Sequence, residues 1–338
     1  MAWYQVKGNE VDIVLSSRIR LARNLEGYAF GRHLDDKAAR QIIDRIEGAL
    51  GADFVKTDMS TVSPMMAEAM VEQHRISRDF AAAKGERALF SNDNKSVSLM
   101  ACEEDHIRLQ CILPGLALGD AYRLACECDD LLDAALPIAF DDTLGYLTHC
   151  PTNLGTGLRA SVMLFLPALQ GRGAIPSLSH QLAKIGLTLR GLYGEGSASH
   201  ACLYQVSNQV TLGHSEEQIL HKLEEAVQSI IQQERALCKE VTGEAALRRA
   251  DRIHRSLGIA LHATLISSEE FFKIFTDLKL GVALGEIDSI SHEALHALLI
   301  HSLPATLSTQ AADAPSTALE RDALRASFIK KALEVSSV

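Results

Sequence analysis

Hydrophobic and polar residues follow strand-like and helix-like patterns through the first two thirds of the chain. Strands are predicted over five segments rich in β-branched and apolar residues, some alternating with polar ones: "SVSLMAC", "HIRLQCIL", "LRASVMLFL", "LTLRGLY" and "CLYQVSNQVTL". Helices are predicted over "KAARQIIDRIEGAL", "GDAYRLACECDDLLDAAL" and "SLSHQLAKIG". From Asp12 to about Gly243 the pattern therefore indicates a mixture of strands and helices.

A long predicted helix ends this mixed region. Ser215 precedes the helix and Gln218 stands three residues further on, which is a capping box, and Gly243 is a typical C-terminal stop. The chain then continues in amphipathic helical segments without a convincing strand: "EAALRRADRIHRSLG", "SSEEFFKIFTDLKLG" and "SHEALHALLIHSL". A polar linker, "STQAADAPST", leads to a last helix, "ALERDALRASFIKKALE". The sequence therefore predicts an α+β domain over residues 11–243 and an all-helical domain over residues 244–338.

Composition narrows the classes of partner and compartment. Lys and Arg total 33 against 43 for Asp and Glu, giving a net charge of -10, which disfavours nucleic acid as the main partner. The N-terminus lacks the features of a secretory signal, and the longest apolar run, "ASVMLFLPAL", is too short to span a bilayer. Seven cysteines without a C-x-x-C pair indicate reduced thiols. We expect a cytoplasmic protein that binds neither nucleic acid nor membrane.

Four short segments place arginines and acids among small polar residues. Arg18 and Arg20 in "SSRIR" lie on the same face of an extended segment, because alternate residues of a strand share a side. Arginine in such a setting usually faces a planar anion, although each segment alone is also typical of a solvated face or a turn. Neither the Walker pattern nor the dinucleotide glycine pattern is present. The other three segments are "CEEDHIR" with His106 and Arg108, "CPTNLGTGLRASV" with Arg159, and "RGLYGEGSA" with Arg190 and Glu195.

Together and in this order, the four segments resemble the motifs of the guanidino (phosphagen) kinases, which transfer the γ-phosphoryl of ATP to a guanidinium nitrogen. The family motifs SSR-x-R, NEEDH-x-R, CP[ST]NLGTG-x-R and RG-x-x-GE correspond here to "SSRIR", "CEEDHIR", "CPTNLGTGLR" and "RGLYGE". The resemblance covers the chain from about Val11 to Gly243. It implies an antiparallel sheet flanked by helices, with ATP and Mg²⁺ as cofactors. No metal ligands are expected from the protein, since Mg²⁺ would be held through the ATP phosphates.

The resemblance also implies roles for individual residues. A guanidinium is a charged, poor nucleophile, so a carboxylate must orient it and accept its proton. Glu104 matches the base and Glu195 its orienting partner, while Cys150 matches the reactive cysteine beside the acceptor, with Thr152 as a possible hydrogen-bond donor to it. The implied ATP-binding residues are Ser16, Ser17, Arg18, Ile19, Arg20, His74, Arg108, Arg159, Ala160, Ser161, Val162, Met163, Arg190, Gly191, Leu192, Tyr193, Gly194 and Glu195.

Three features bear on which guanidinium is phosphorylated. Only fifteen residues precede "SSRIR", whereas phosphagen kinases carry there a helical domain that closes over a small acceptor. The helical domain after Gly243 has no counterpart in the small-molecule enzymes. Its last helix contains "ERDALRA", which matches the R-D-x-x-R-A motif of the bacterial protein-arginine kinases, where it forms an allosteric phosphoarginine pocket. The pocket residues implied here are Arg321, Asp322, Ala323, Leu324, Arg325 and Ala326, with the two arginines four apart on one helical face.

The resemblance to the protein-arginine kinases implies that the chain transfers the γ-phosphoryl of Mg-ATP to arginine side chains of proteins, for stress-related regulation or degradation. The implied partners are arginine-bearing protein substrates, a second copy in a homodimer, an activator protein and a Clp-type protease. Two alternatives stay open: a kinase of a small guanidino metabolite such as free arginine, and a non-catalytic phosphoarginine-binding adaptor. Two positions depart from the family pattern. Cys102 stands where Asn is usual, and His149 stands where a small hydroxyl residue is usual.

Overall fold

The computed structural model describes residues 1–192, 200–311, 315 and 317–336. Its centre is an eight-stranded sheet in the order β2-β3-β4-β5-β1-β8-β10-β9, in which every adjacent pair is antiparallel. A two-stranded hairpin of β6 and β7 lies apart from it. The strands are β1 (Val14–Arg23), β2 (Phe54–Asp58), β3 (Ala88–Asn92), β4 (Val97–Ala101), β5 (Ile107–Pro114), β6 (Phe140–Asp141), β7 (Gly145–Tyr146), β8 (Leu158–Phe165), β9 (Leu187–Gly191) and β10 (Leu203–Asn208).

Helices cover one face of the sheet and build the larger hydrophobic core against it. Alternate strand residues such as Ile19, Leu109 and Val162 are fully buried there, since side chains of a strand alternate between its two faces. Helices α1, α4, α6 and α7 supply the other half of this core. The helices of the mixed region are α1 (Asp36–Leu50), α2 (Pro64–Glu72), α3 (Arg78–Ala82), α4 (Leu118–Ala135), α5 (Pro167–Gly171), α6 (Ile175–Lys184) and α7 (Glu216–Glu240).

The opposite face of the sheet is apolar at one end and polar at the other. Leu15 and Phe165 lie at the apolar end, in one buried cluster with Phe271 and Leu278 of the helical region, so the helical region covers that end. The polar end is left for the arginines described below. The helices of this second region are α8 (Gly243–His262), α9 (Ser268–Leu284), α10 (His292–His301), α11 (Pro304–Gln310) and α12 (Ala318–Ser336).

The α+β fold followed by a helical region is confirmed, while several element boundaries differ from the sequence prediction. Helix α7 has the predicted capping box at Ser215 but ends at Glu240, and Gly243, with φ +59°, lies at the start of α8. The predicted linker is partly helical, because α11 continues to Gln310. Strands β2 and β3, the β6–β7 hairpin and helices α2, α3 and α5 were not predicted.

Candidate active site

The arginines of the sequence motifs meet on the polar end of the sheet because their strands are neighbours in register. In the pairing of β1 with β8, Arg18 is opposite Ser161 and Arg20 is opposite Arg159. On the other side of β1, Arg108 of β5 is paired with Ala22, one step beyond Arg20. Strand alternation points Arg18, Arg20, Arg108 and Arg159 to the same face, away from the helix-covered core. One sheet thereby gathers cations from three separate motifs.

These arginines form a strongly positive surface, and the acidic side chains near it do not balance their charge. Burial and the charges of Arg108 and Arg159 lower the pKa of Arg18 to about 10, and the same causes, with Arg18 added, lower the pKa of Arg20. The buried Nε atoms of Arg20 and Arg159 have no hydrogen-bond partner within the described residues. Buried donors of this kind normally have acceptors. An anion with several oxygens, such as a polyphosphate, would supply them.

Glu103, the first acid of "CEEDHIR", holds Arg108 in place. Its side chain is 3% exposed and forms an ion pair of 2.5 Å with Arg108 Nη1. The hydroxyl of Ser77 also donates to Glu103. This carboxylate is therefore satisfied inside the protein, and it fixes the direction of one arginine towards the polar face. The sequence did not predict this role, although the spacing of five residues across a strand start is a signal for it.

Asn24 organises the turn that follows Glu103 and gives Asp105 a partner inside the protein. Asn24 is fully buried, donates to Asp105 Oδ1 at 2.7 Å and accepts from the backbone N–H of His106 at 2.8 Å. His106 accepts from the N–H of Leu25 through Nδ1 and lies 3.0 Å from the carbonyl of Ala29 through Nε2. Asp105 and His106 are thus internal structural residues. Asn24 was missed; its only sequence signal is a polar residue directly after a strand of apolar and basic residues.

Glu104 is the acid of this turn that remains exposed. Partial burial and the charges of Asp105 and Glu103 raise its pKa, and the nearby charges of Arg108 and His149 act in the opposite direction. A carboxylate with a raised pKa beside a cluster of arginines is suited to accept a proton. Glu104 therefore has both the exposure and the surroundings of a general base.

Cys150 and His149 lie on the loop that follows the hairpin. The Sγ atom of Cys150 is 3.0 Å from the hydroxyl of Thr152, the contact expected from the sequence. The backbone N–H of His149 donates to Asp105 at 2.6 Å, which ties this loop to the turn that carries Glu104. The imidazole of His149 occupies the space where Gly31 has no side chain, within 2.6 Å of the position of a Cβ. His149 is thus accommodated by a glycine in another loop.

His74 lies at the other end of the arginine row. Its backbone is left-handed, with φ +60°, and its carbonyl accepts from Gln110 Nε2 at 2.8 Å. Burial and the charge of Arg18 lower the pKa of the imidazole to about 3, so it is neutral at physiological pH. A neutral imidazole beside Arg18 is compatible with the predicted position of His74 next to a nucleotide, which stays a prediction.

The remaining predicted ATP-binding residues divide by sheet face. Ser16, Ser161 and Met163 share the arginine face. Arg190 of β9 is exposed, and burial followed by the charge of Arg190 lowers the pKa of Arg159. The predictions of Gly191 and Leu192 fall at the end of that strand and just after it, and those of Tyr193, Gly194 and Glu195 lie outside the described residues. The side chains of Ser17, Ile19, Ala160 and Val162 point to the opposite face.

Those four side chains point away from the arginine face, so the ATP-binding prediction for these residues concerns their backbone atoms alone and stays a prediction. Ile19, Ala160 and Val162 are fully buried in the core beneath the helices. Ser17 donates to the carbonyl of Gly115 at 2.9 Å and accepts from the N–H of Ala117 at 3.0 Å, so it fixes the start of α4. A motif written as a continuous run includes both faces of a strand, and only every second side chain reaches the ligand side.

The R-D-x-x-R-A motif on α12 is also only partly exposed. Arg325 is 1% exposed; it donates to the carbonyls of Ser302 at 2.9 Å and Ile266 at 2.7 Å, and it pairs with Asp322 at 2.7 Å. The resemblance implies that Arg321 and Arg325, on one helical face, both belong to a phosphoarginine pocket, and this stays a prediction. The structure uses Arg325 as a cross-link inside the helical region. Of the other motif residues, Arg321, Ala323 and Leu324 are at least partly exposed and Ala326 is buried.

The donor set of this site suits phosphate oxygens better than a directly bound metal. Among the residues that the structure describes, no group of three or more His, Cys, Asp or Glu side chains is placed to hold a metal ion. The same part of the chain contains no helix long and apolar enough to cross a membrane.

Comparison with known proteins assigns the chain to a family. The model of the ATP:guanido phosphotransferase C-terminal catalytic domain matches residues 37–237, and that of the protein-arginine kinase McsB C-terminal domain matches residues 247–338. A protein-arginine kinase of Moorella thermoacetica is 40% identical over 98% of this chain and 97% of its own length. One of Halothermothrix orenii is 41% identical over 98% and 96%. This chain belongs to the protein-arginine kinases.

Solved structures agree with the fold of this protein-arginine kinase. The duplicated taurocyamine kinase of Schistosoma mansoni superposes with a TM-score of 0.62 at 25% identity, covering 75% of this chain and 39% of that one. A lombricine kinase superposes with a TM-score of 0.58 at 24% identity, covering 70% and 69%. The family predicted from the four motifs and from "ERDALRA" is confirmed, as is its enzymatic class, a kinase with a guanidino acceptor.

Proposed function

We propose that this chain transfers the γ-phosphoryl group of Mg-ATP to the guanidinium of arginine side chains in proteins. The observation that carries the proposal is the convergence of Arg18, Arg20, Arg108 and Arg159 on one sheet face beside the exposed carboxylate of Glu104. Relatives named protein-arginine kinase, similar over nearly their whole length, support the choice of acceptor.

The strand register gives the reaction a direction along the sheet. Arg108 is the arginine nearest to Glu104 in the chain and lies at the acceptor end of the row, whereas Arg18 lies two residues before Arg20 at the other end. The γ-phosphate would therefore lie towards Arg108 and Arg159, with the α- and β-phosphates towards Arg18. Charge stabilisation by positioned arginines is the main demand of phosphoryl transfer.

In the transfer step, a guanidinium nitrogen of the substrate attacks the γ-phosphorus as Glu104 takes the proton from that nitrogen. The new N–P bond forms while the bond from the γ-phosphorus to the β,γ-bridging oxygen breaks, and ADP leaves with that electron pair. Arg108, whose side chain is oriented by its ion pair with Glu103, would face the negative charge on the transferring phosphoryl group. Cys150 and Glu195 are proposed to orient the acceptor, Glu195 by resemblance alone.

Mg²⁺, when bound, would neutralise charge on the β- and γ-phosphates. The described residues fit an ion held through the nucleotide, because the polar face offers arginine donors for phosphate oxygens and no described group of three or more His, Cys, Asp or Glu side chains is placed to hold a metal ion. The arginines would bind the oxygens that the ion leaves free.

The experiment is incubation of the full chain with Mg-ATP and an unfolded, arginine-rich protein, read out as acid-labile phosphate on the protein. Free arginine is run in parallel. We expect phosphorylation of the protein and little of the free amino acid. Phosphorylation of free arginine alone would contradict the proposed acceptor, and the absence of both products would contradict the proposed activity.

We further propose that residues 244–338 serve regulation and formation of a homodimer. Phosphoarginine is the proposed effector, and an activator protein and a Clp-type protease are the proposed partners of a stress-related, cytoplasmic enzyme. Since Arg325 is committed to internal carbonyls, Arg321 is the motif arginine available to a phosphate.

Arg321→Ala tests this regulation more directly than a change at Arg325, because Arg325 also holds buried carbonyls in the helical region. Arg321→Ala should reduce activation by added phosphoarginine about 5-fold or more while basal turnover stays within about 2-fold, since coupling between sites is typically about 1–3 kcal/mol. Arg325→Ala should instead lower thermal stability, because it leaves buried carbonyls without a donor. The two variants are compared by rate titration and thermal melting. Equal activation of wild type and Arg321→Ala would remove the motif from regulation.

A further inference from the structure

The proposed direction of the triphosphate does not say where the nucleoside of ATP binds. The structure has a region beyond Arg18 that could hold it. If the γ-phosphate lies towards Glu104, the nucleoside must lie beyond Arg18, at the opposite end of the row. Here Ser16 of β1 pairs with Met163 of β8, and both residues line a small gap together with Trp3 of the N-terminal segment. This step rests on the proposed function, since a different anion in the arginine cluster would carry no nucleoside.

A polar cavity lies in that place. It has a volume of about 330 Å³, which is within the range of small-ligand pockets. Trp3 and His74 line it, and they also line a small gap of about 20 Å³ whose wall includes Arg18. The cavity and the phosphate-binding arginines therefore meet at Trp3 and His74. A ligand that occupies both must pass these two rings.

Trp3 is buried with an unused donor at this junction. Its side chain is 5% exposed, yet its Nε1 has no hydrogen-bond partner within the described residues. The same holds for the Nε of Arg75, another residue that lines the cavity. The indole ring lies 6.0 Å from the imidazole of His74, at an interplanar angle of 49°. Buried donors in native proteins normally have acceptors, so two orphan donors at one cavity point to a ligand that supplies them.

We infer that Trp3 contacts the nucleoside of the bound nucleotide. Its ring forms part of the wall for the base, and its Nε1–H donates to an acceptor of the base or ribose. The N-terminal segment thereby belongs to the nucleotide site, although it lies outside the four sequence motifs. The neighbouring ring, Tyr4, packs instead edge-on against His301 of α10, which fixes the segment to the helical region.

The chain offers a direct probe, because Trp3 is its single tryptophan. Intrinsic indole fluorescence of the full chain is followed while Mg-ATP, adenosine or inorganic tripolyphosphate is added, and binding of each is measured in parallel by calorimetry. Free N-acetyltryptophanamide corrects for absorption by the base. We expect a change in emission with ATP and adenosine and little change with tripolyphosphate, which fills only the arginine cluster.

Two variants separate a contact with the nucleoside from general packing. Trp3→Phe keeps an aromatic ring but loses the N–H, and it should raise the KM for ATP about 3- to 10-fold with kcat within about 2-fold, the range for one hydrogen bond. Its affinity for tripolyphosphate should be unchanged. Tyr204→Phe is the matched control, since Tyr204 is buried on the opposite face and donates to Gln170 at 2.8 Å. It should leave both affinities as they are.

The outcomes distinguish this inference from the proposed function. Binding of ATP without a change in emission would overturn the contact with Trp3, as would an equal change with tripolyphosphate or an unchanged KM in Trp3→Phe. All three results would leave the kinase activity intact. Failure of ATP to bind at all would overturn the proposed function and this inference together.

Discussion

At the scale of single residues, neighbouring acids of one motif have different chemistry because their backbone turns them in different directions. Glu103 is buried against Arg108, Asp105 is buried against Asn24, and Glu104 between them is exposed. Partial burial, followed by the charge of Asp105, raises the pKa of Glu104, and the charge of Arg108 acts in the opposite direction. Glu104, the acid proposed as the base, is therefore the one of the three that has no hydrogen-bond or ion-pair partner among the described residues.

This difference predicts that a change from Glu to Gln lowers kcat at position 104 but lowers stability and ATP affinity at position 103. Glu104→Gln should lower kcat by roughly two to four decades while ATP binding and thermal stability stay near wild type, because a positioned base contributes about that much. Glu103→Gln should lower stability and ATP affinity together, since it releases Arg108. Steady-state kinetics and thermal melting of both variants are the measurements. A Glu104→Gln enzyme with near-normal turnover would exclude Glu104 as the base.

Cys102 shows the cost of a departure from the family pattern. Its backbone is left-handed, with φ +62°, a conformation in which Asn is favoured over most other residues. The resemblance places Asn at this position, so the structure supplies the reason. Cys102 instead keeps its Sγ 3.8 Å from the carbonyl of Ala39.

Cys102→Asn should therefore raise the free energy of unfolding by about 0.5–1 kcal/mol, part of the cost of a left-handed residue. Cys102→Val should lower it, because a β-branched side chain is least suited to this backbone. Urea unfolding of the two variants and of wild type gives the order. If Asn proves less stable than Cys, packing of the sulfur outweighs the backbone strain.

At the scale of elements, α2 joins the arginine-bearing side of the sheet to the helical region. Glu72, the last residue of α2, accepts from the backbone N–H groups of Ala305 at 2.9 Å and Thr306 at 2.6 Å, and so caps the start of α11. His74 follows two residues later. One carboxylate thus links a helix of the C-terminal region to the segment that carries His74.

Loss of this cap should change both the free energy of unfolding and the KM for ATP. Glu72→Ala should destabilise the protein by about 1–2 kcal/mol, the usual cost of a lost cap, and raise the KM for ATP through displacement of His74. Glu68→Ala, at an exposed position of the same helix, is the control and should stay within about 0.5 kcal/mol. Urea unfolding and ATP saturation curves test both. A stability loss without any change in KM would show that α11 and the nucleotide site are independent.

Strands and helices whose pattern of apolar and polar residues follows their burial could be predicted from the sequence. Elements without such a pattern could not. Strand β8 is rich in apolar residues around Arg159 and Ser161, so the strand was predicted, whereas the motif did not distinguish the side chains of its two faces. Strand β2 lies at the sheet edge with mostly exposed residues, and its sequence carries no such alternation. The motifs located the arginines and Glu104. Trp3 and Asn24 act through contacts distant in sequence, which no local pattern encodes.

At the scale of the whole molecule, the two regions share buried surface. The cluster that includes Leu15 and Phe165 of the sheet with Phe271 and Leu278 of α9 is continuous. Lys279 lies inside this shared region, fully buried. Its Nζ donates to the carbonyl of Val11 at 3.0 Å, and 3.0 Å separates it from His296 Nε2. A buried lysine therefore joins the base of β1 to two helices of the C-terminal region.

Burial lowers the pKa of Lys279 to about 7, although the charges of Asp12 and Glu293 act in the opposite direction. The nearby His292 and His296 also have lowered pKa values, so both are neutral at physiological pH. In the unfolded chain the ordinary lysine pKa is about 10.4. Between these two values the unfolded state binds one proton more than the folded state. The free energy of unfolding must therefore rise with pH across this window, and below pH 7 the contribution is constant.

Lys279→Met should remove this rise. The difference in unfolding free energy between wild type and Lys279→Met should increase in favour of wild type by up to about 1.4 kcal/mol per pH unit between about pH 7 and 10. The control is Lys273→Met on the same helix, since Lys273 is exposed, and this change should leave the slope of wild type unaltered. Urea unfolding at a series of pH values provides the slopes. Parallel curves for wild type and Lys279→Met would mean that the lysine keeps its proton in the folded protein. The contact between the two regions would then be an ion held by Asp12 and Glu293 rather than a neutral amine.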